Sequence, residues 1–180
     1  MYKNYFAKMR GGSKNPPGVS HSEIMWSWIG SFLGILAVSG LDSFFLAKTD
    51  LVMIIASFGA SAVLIYGAVK SPLAQPRNLI GGHIVSALIG VSSYKLLHSY
   101  QWLSGPLAVA TAIALMHSTK TLHPPGGATA LIAVIGSEKI HNLGYLYVFF
   151  PAGAGAFTML IIALLINNIP KTRKYPEFWL

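Results

Sequence analysis

The side chains able to do chemistry in this chain collect in three stretches: "SFGAS" at residues 57–61, "KSPLAQPRNLIGGHIVSALIG" at 70–90 and "KTLHPPGGATALIAVIG" at 120–136. The second and third align as a Lys, a Leu, Gln-Pro or His-Pro, Gly-Gly and then a small, apolar helix start, with a gap of three residues before Gly-Gly. Such an internal repeat has a chemical use. A helix N-terminus presents unsatisfied backbone N–H groups and the positive end of its dipole, glycine lets a ligand approach the backbone, and proline suits the first turn. Two helix starts, at about Pro125–Ala128 and Leu79–His83, can therefore converge on one small anion, with Lys120 and Arg77 adding full charge. The candidate binding residues are Gln75, Arg77, Asn78, Gly81, Gly82 and His83 in the first copy, and Lys120, His123, Pro124, Pro125, Gly126, Gly127, Ala128 and Thr129 in the second. Ser57, Gly59 and Ser61 are positioned to line a path beside them. The alternative use of the same glycines is to turn the chain and let helices pack closely.

The carboxylates point the same way by their placement. Glu23, Asp42, Asp50, Glu138 and Glu177 all fall at span ends or in loops, whereas a cation path or an acid-based proton relay places Asp or Glu within the bundle. His83, His117 and His123 lie near the proposed site, and histidine as a residue type suits proton coupling; bonding to backbone carbonyls is their structural alternative. Scattered histidines without ligand spacing, and no cysteine, give no metal site, and no cofactor is expected. A hydrolase built on His123 and a Ser or Thr would lack the carboxylate that orients the base, so no enzymatic activity is expected.

The elements that must carry these groups are membrane helices. Hydrophobic residues make up 53% of the chain and charged residues 10%, against roughly 25% charged in soluble domains. The net charge of +8 sits in short segments between apolar runs, so membrane lipids rather than nucleic acid are the expected partners. We expect an all-α, polytopic helical membrane protein with short or broken helices beginning at the Gly-Gly turns. Spans fall at about 24–46, 51–69, 79–97, 105–118 and 145–169, with a short apolar run at 128–136. Ser20-His21-Ser22-Glu23 has capping-box spacing and marks the first helix start.

Residues 1–22 are expected to form a cytoplasmic segment without a removable signal peptide, 23–169 the transmembrane domain and 170–180 a cytoplasmic basic and aromatic tail. Tyr2, Tyr5, Phe6 and Met9, with Lys3, Lys8 and Arg10, suit a short interfacial helix, a disordered tail being the alternative. Lys171, Arg173, Lys174, Tyr175, Phe178 and Trp179 suit an interfacial anchor.

Six crossings put most Lys and Arg, including Lys70, Arg77, Lys120, Lys171, Arg173 and Lys174, on the inside, and only Lys48, Lys95 and Lys139 outside. In the alternative, 105–136 dips in and returns, leaving four spans and Lys120 near the midplane at a cost of about 3 kcal/mol. Both place the termini in the cytoplasm, and the expected location is a bacterial inner (plasma) membrane. Gly30-x-x-x-Gly34 and "PAGAGA" at 151–156 favour close helix packing, and so short a chain is expected to form a homo-oligomer, a dimer or trimer.

The segments "SFGASAVLIYG", "SPLAQPRNLIGGHIVSALIG" and "HPPGGATALIAVIG" resemble the HPP family of integral membrane proteins, whose His-Pro-Pro motif stands here as His123-Pro124-Pro125. The likeness covers about residues 20–170. It implies a four-span fold and, since members in cyanobacteria and plastids are implicated in nitrite transport, a small-anion transporter with an inorganic anion as its ligand.

Overall fold

The computed structural model describes residues 17–43 and 48–180; the interfacial helix expected at 2–10 lies outside them. Among the described residues there is no strand. Helices α1 (His21–Ser43) and α2 (Lys48–Ala62) come first, and α2 ends in a wide π-type turn, Val63–Gly67. A loop with a short 3-10 turn (Pro72–Ala74) leads to α3 (Pro76–Leu97), α4 (Gln101–Ser118) and α5 (Pro125–Ile135). The short α6 (Glu138–Leu143), a second π-type turn (Val148–Gly153) and α7 (Ala154–Ile166) complete the order. The Ser20 hydroxyl accepts from Glu23 N at 3.3 Å, so the expected cap starts α1.

Among the described residues three helical stretches are long and apolar enough to cross a membrane, His21–Leu41, Pro76–Ser118 and Val148–Ile166; Ile54–Gly67 and Pro125–Ile135 are shorter apolar helices. Pro76–Ser118 is not one rod. The Arg77 guanidinium donates to the Thr119 carbonyl at 2.8 Å and the Ser93 hydroxyl to that of Ser104 at 2.9 Å, so α3 and α4 form an antiparallel hairpin.

The next crossing is made in two parts. Residues 119–124 run without helix alongside the start of α3, and α5 then continues for 11 residues, about 16 Å, against a hydrocarbon core of about 30 Å. It emerges at the far end: the Asp50 carboxylate, at the start of α2, accepts from Ser137 N at 3.0 Å and from the Ser137 hydroxyl. The chain between 105 and 136 thus runs along α3 first in one direction and then in the other. Lys70, Arg77, Lys120, Lys171, Arg173 and Lys174 lie toward the end holding the start of α3 and the end of α7, while Lys95 packs near Gly144 at the other.

Small residues set the closeness of the central helices. Gly82, Ser86 and Gly90, four apart on α3, face Gly126, Ala130 and Ala133 on α5, and a Cβ at Gly90 would fall against the Ala130 carbonyl. Gly30 and Gly34, expected to allow close packing, cradle the ring of Tyr66, whose hydroxyl donates to the Met159 carbonyl at 3.1 Å. In the 151–156 stretch Gly155 does provide close approach, against the Phe58 ring.

The C-terminal tail is a clamp rather than a lipid anchor at two of its residues. Arg173, its side chain 3% exposed, donates to Glu23 Oε2 at 2.7 Å, to the Tyr66 and Glu23 carbonyls, to Asn167 Oδ1 and to Ser27 Oγ. Tyr175 is buried, donates to the Ala74 carbonyl at 2.8 Å, and burial pushes its hydroxyl pKa up. Phe178 and Trp179 remain exposed.

Candidate functional site

Where α2, α3 and α5 meet, five buried polar side chains form one connected cluster: Ser57, Ser61, His83, His123 and Thr129. α2 supplies the two serines one turn apart, so both hydroxyls face inward. α3 supplies His83 about 9 Å along its axis from Arg77. His123 comes from the non-helical approach to α5, and Thr129 from the second turn of α5 itself.

Ser61 Oγ lies 2.9 Å from Nε2 of both His83 and His123. His83 Nδ1 meets Thr129 Oγ1 at 2.7 Å, and Thr129 Oγ1 meets Ser57 Oγ at 2.9 Å. Ser57 also reaches the Pro125 carbonyl at 3.0 Å. His123 Nδ1 donates to the Leu73 carbonyl at 2.8 Å. The two imidazole centroids are 5.1 Å apart, and Phe58 covers His83 with centroids at 4.9 Å. Polar groups in a dry interior persist only when bonded, and this cluster meets that condition by bonding to itself.

The other expected residues divide by what they touch. Arg77 and Asn78 hold the non-helical segment against α3, Asn78 donating to the Leu122 carbonyl at 2.8 Å. Gln75 is buried and donates to the Val69 and Ser71 carbonyls, while its Oε1 accepts from Glu177 N. Gly81 and Gly82 are not at a helix start. α3 begins at Pro76, where proline's fixed φ suits the first turn, and the two glycines sit farther along to admit Thr121 and His123. α5 does begin beside its glycines, but Gly126 N and Gly127 N donate to the His123 and Pro124 carbonyls at 2.8 and 3.0 Å. Both N–H groups are thus engaged within the turn itself.

Gly127, Ala128 and Pro124 line a surface groove with Val109 and Leu131, away from the cluster, and His117 borders that same groove rather than the site. Lys120 is exposed at a turn with φ of 57°. Gly59 has nothing within 4 Å of a notional Cβ. The Leu73 carbonyl and Tyr147, whose hydroxyl donates to the Thr129 carbonyl at 3.1 Å, are site neighbours outside the expected set. The Pro72 to Pro76 spacing was the available signal for a carbonyl-presenting loop.

A cleft of about 500 Å³ opens at the cation-rich end, lined by Glu23, Lys70, Ser71, Thr172, Arg173 and Lys174. It borders the loop that carries the Leu73 carbonyl. Among the described residues no cluster of His, Asp or Glu could hold a metal ion.

The profile of the HPP transmembrane region matches residues 16–176. A transmembrane protein of Dictyostelium discoideum is 48% identical over 178 residues, covering 97% of this chain and 57% of its own. A second from the same organism is 44% identical over 180 residues, covering 97% and 63%. The chain thus spans about three fifths of the length of the curated relatives it matches. No solved structure matches it.

Proposed function

The chain belongs to the HPP transmembrane family, and from that premise we propose that this integral membrane protein carries a small monovalent anion across the bilayer, nitrite being the leading candidate. The observation that carries the proposal is the core cluster. Ser57, Ser61, His83, His123 and Thr129 are the polar side chains at the meeting of three helices, and none of their hydrogen bonds goes to a carboxylate. Hydroxyl and imidazole groups without acids suit an anion; a cation would call for carboxylates or a cage of carbonyls.

The cleft bearing Lys70 and Lys174 supports the same reading, because a basic mouth raises the local concentration of anions. We place that end in the cytoplasm by the positive-inside rule. A homo-oligomer and a bacterial plasma membrane belong to the same proposal.

In this account the binding groups are the five cluster side chains rather than two helix N-termini. Uptake into proteoliposomes of nitrite, nitrate, formate and chloride tests it. Saturable flux of nitrite above protein-free vesicles is expected, and absence of protein-dependent flux for all four would sink the transport reading.

A further inference from the structure

We propose that the core cluster binds its anion only together with one proton, so that transport, on the reading above, is an electroneutral symport of anion and proton. The positions of the cluster's hydrogens impose this coupling. A carbonyl only accepts, so the 2.8 Å bond to Leu73 fixes the hydrogen of neutral His123 on Nδ1, and its Nε2 must accept from Ser61. The Ser61 hydroxyl, having donated, accepts from His83 Nε2, so His83 Nδ1 accepts from Thr129. The Thr129 oxygen then accepts from Ser57, for which the Pro125 carbonyl competes. Ser61 and Thr129 also lie 3.4 and 3.5 Å from the Ser57 and Pro125 carbonyls, and their shorter contacts to the imidazoles, 2.9 and 2.7 Å, set the direction of the chain that starts at Leu73.

The consequence is a cluster with no donor to offer. Each of the five side chains carries one hydrogen, and each hydrogen points at an internal acceptor. An anion brought here meets oxygen and nitrogen lone pairs, and its own charge is uncompensated in a dry interior. The charged groups of the packed elements are turned elsewhere. Arg77 of α3 bonds the Thr119 carbonyl, Asp50 of α2 bonds Ser137, and the tail's Arg173 bonds Glu23. The titratable group that each imidazole faces is the other imidazole, with the Tyr147 hydroxyl one carbonyl away.

A single added proton changes both defects at once. It bonds to the lone pair of His83 Nδ1 or His123 Nε2 and turns that acceptor into a donor. The hydroxyl that had been donating to it, Thr129 or Ser61, is released to donate to an anion, and the imidazolium supplies the opposite charge. With ring centroids 5.1 Å apart, the first positive charge opposes a second, which sets one proton for each anion. The proton comes from hydronium in the water on the side of uptake and returns to water on the other side; no bond of the anion is made or broken.

The test uses the full chain in vesicles with an internal pH dye, nitrite and nitrate as probes, voltage set by potassium and valinomycin, and protein-free vesicles to subtract leakage of the neutral acid. One proton is expected to enter with each anion, at a rate indifferent to voltage and rising about tenfold per unit fall in pH on the uptake side. His83→Gln and His123→Gln, checked for folding by thermal unfolding, should lose that pH dependence. Anion uptake without protons, at a rate that follows voltage, overturns the symport and leaves the transport reading standing. Wild-type pH dependence in both variants also overturns it. No uptake of either probe removes the transport reading and the symport with it.

Discussion

Gly82 lies directly against His123: a Cβ on the glycine would fall onto the histidine Cβ and 3.0 Å from the Thr121 carbonyl. Backbone cannot move aside cheaply, so Gly82→Ala should force the non-helical segment off α3. We expect a loss of about 1–3 kcal/mol, the range for overpacking a close interface. Gly127→Ala is the control, because its nearest neighbour would be Val109 Cγ1 at 3.7 Å, an ordinary contact. Thermal unfolding in detergent compares the two, and equal destabilisation would contradict the packing described.

Arg173 makes a second prediction. Its replacement by Met leaves the Glu23 carboxylate without its cation and removes donors from the Tyr66 carbonyl, Asn167 and Ser27. We expect Arg173→Met to destabilise the fold by about 1–3 kcal/mol, chiefly by leaving buried acceptors such as Asn167 Oδ1 without their donor. Glu23 is the more exposed partner, at 28%, so Glu23→Gln should cost less. Loss of the C-terminal clamp would show as faster proteolysis after Ile169. An Arg173→Met protein as stable as the parent would mean that the tail does not hold α1 and α7 together.

Much of this architecture was legible in the sequence, because apolar runs report spans irrespective of how helices pack. All five cluster residues were among the candidates, since Ser, His and Thr in apolar surroundings must find partners. Their partners were not legible: Ser57 and Thr129 are 72 positions apart, and no local pattern encodes that pairing. The role of Gly81 and Gly82 was misread because a Gly-Gly pair looks alike at a helix start and at a close crossing. Arg77 was expected to contact the ligand through its charge, yet it serves the Thr119 carbonyl. Arg173 looked like a headgroup anchor because burial of an arginine depends on Glu23, 150 positions away.

The two-part crossing predicts opposite sidedness for two nearby positions. Lys120 is exposed beside the start of α3, whereas Lys139 follows Ser137 at the end held by Asp50. The chain has no cysteine, so single replacements Lys120→Cys and Lys139→Cys can be probed with an impermeant thiol reagent in oriented vesicles. Each should label from one side only, and the sides should differ. Labelling of both from the same side would restore a re-entrant 105–136.

Anion flux through Ser61→Ala reports directly whether the path runs through the cluster. This change removes the one atom that contacts both imidazoles, at 2.9 Å each, while adding no bulk. Leaving two ring nitrogens unpartnered should cost about 2–6 kcal/mol, so thermal unfolding first establishes that the variant is folded. Folded Ser61→Ala protein, reconstituted beside the parent, should lose nitrite flux by at least about tenfold, the consequence of about 1.4 kcal/mol or more removed from binding or passage. Parent-level flux in Ser61→Ala would contradict the account, because a path through the cluster cannot be indifferent to the hydroxyl at its centre.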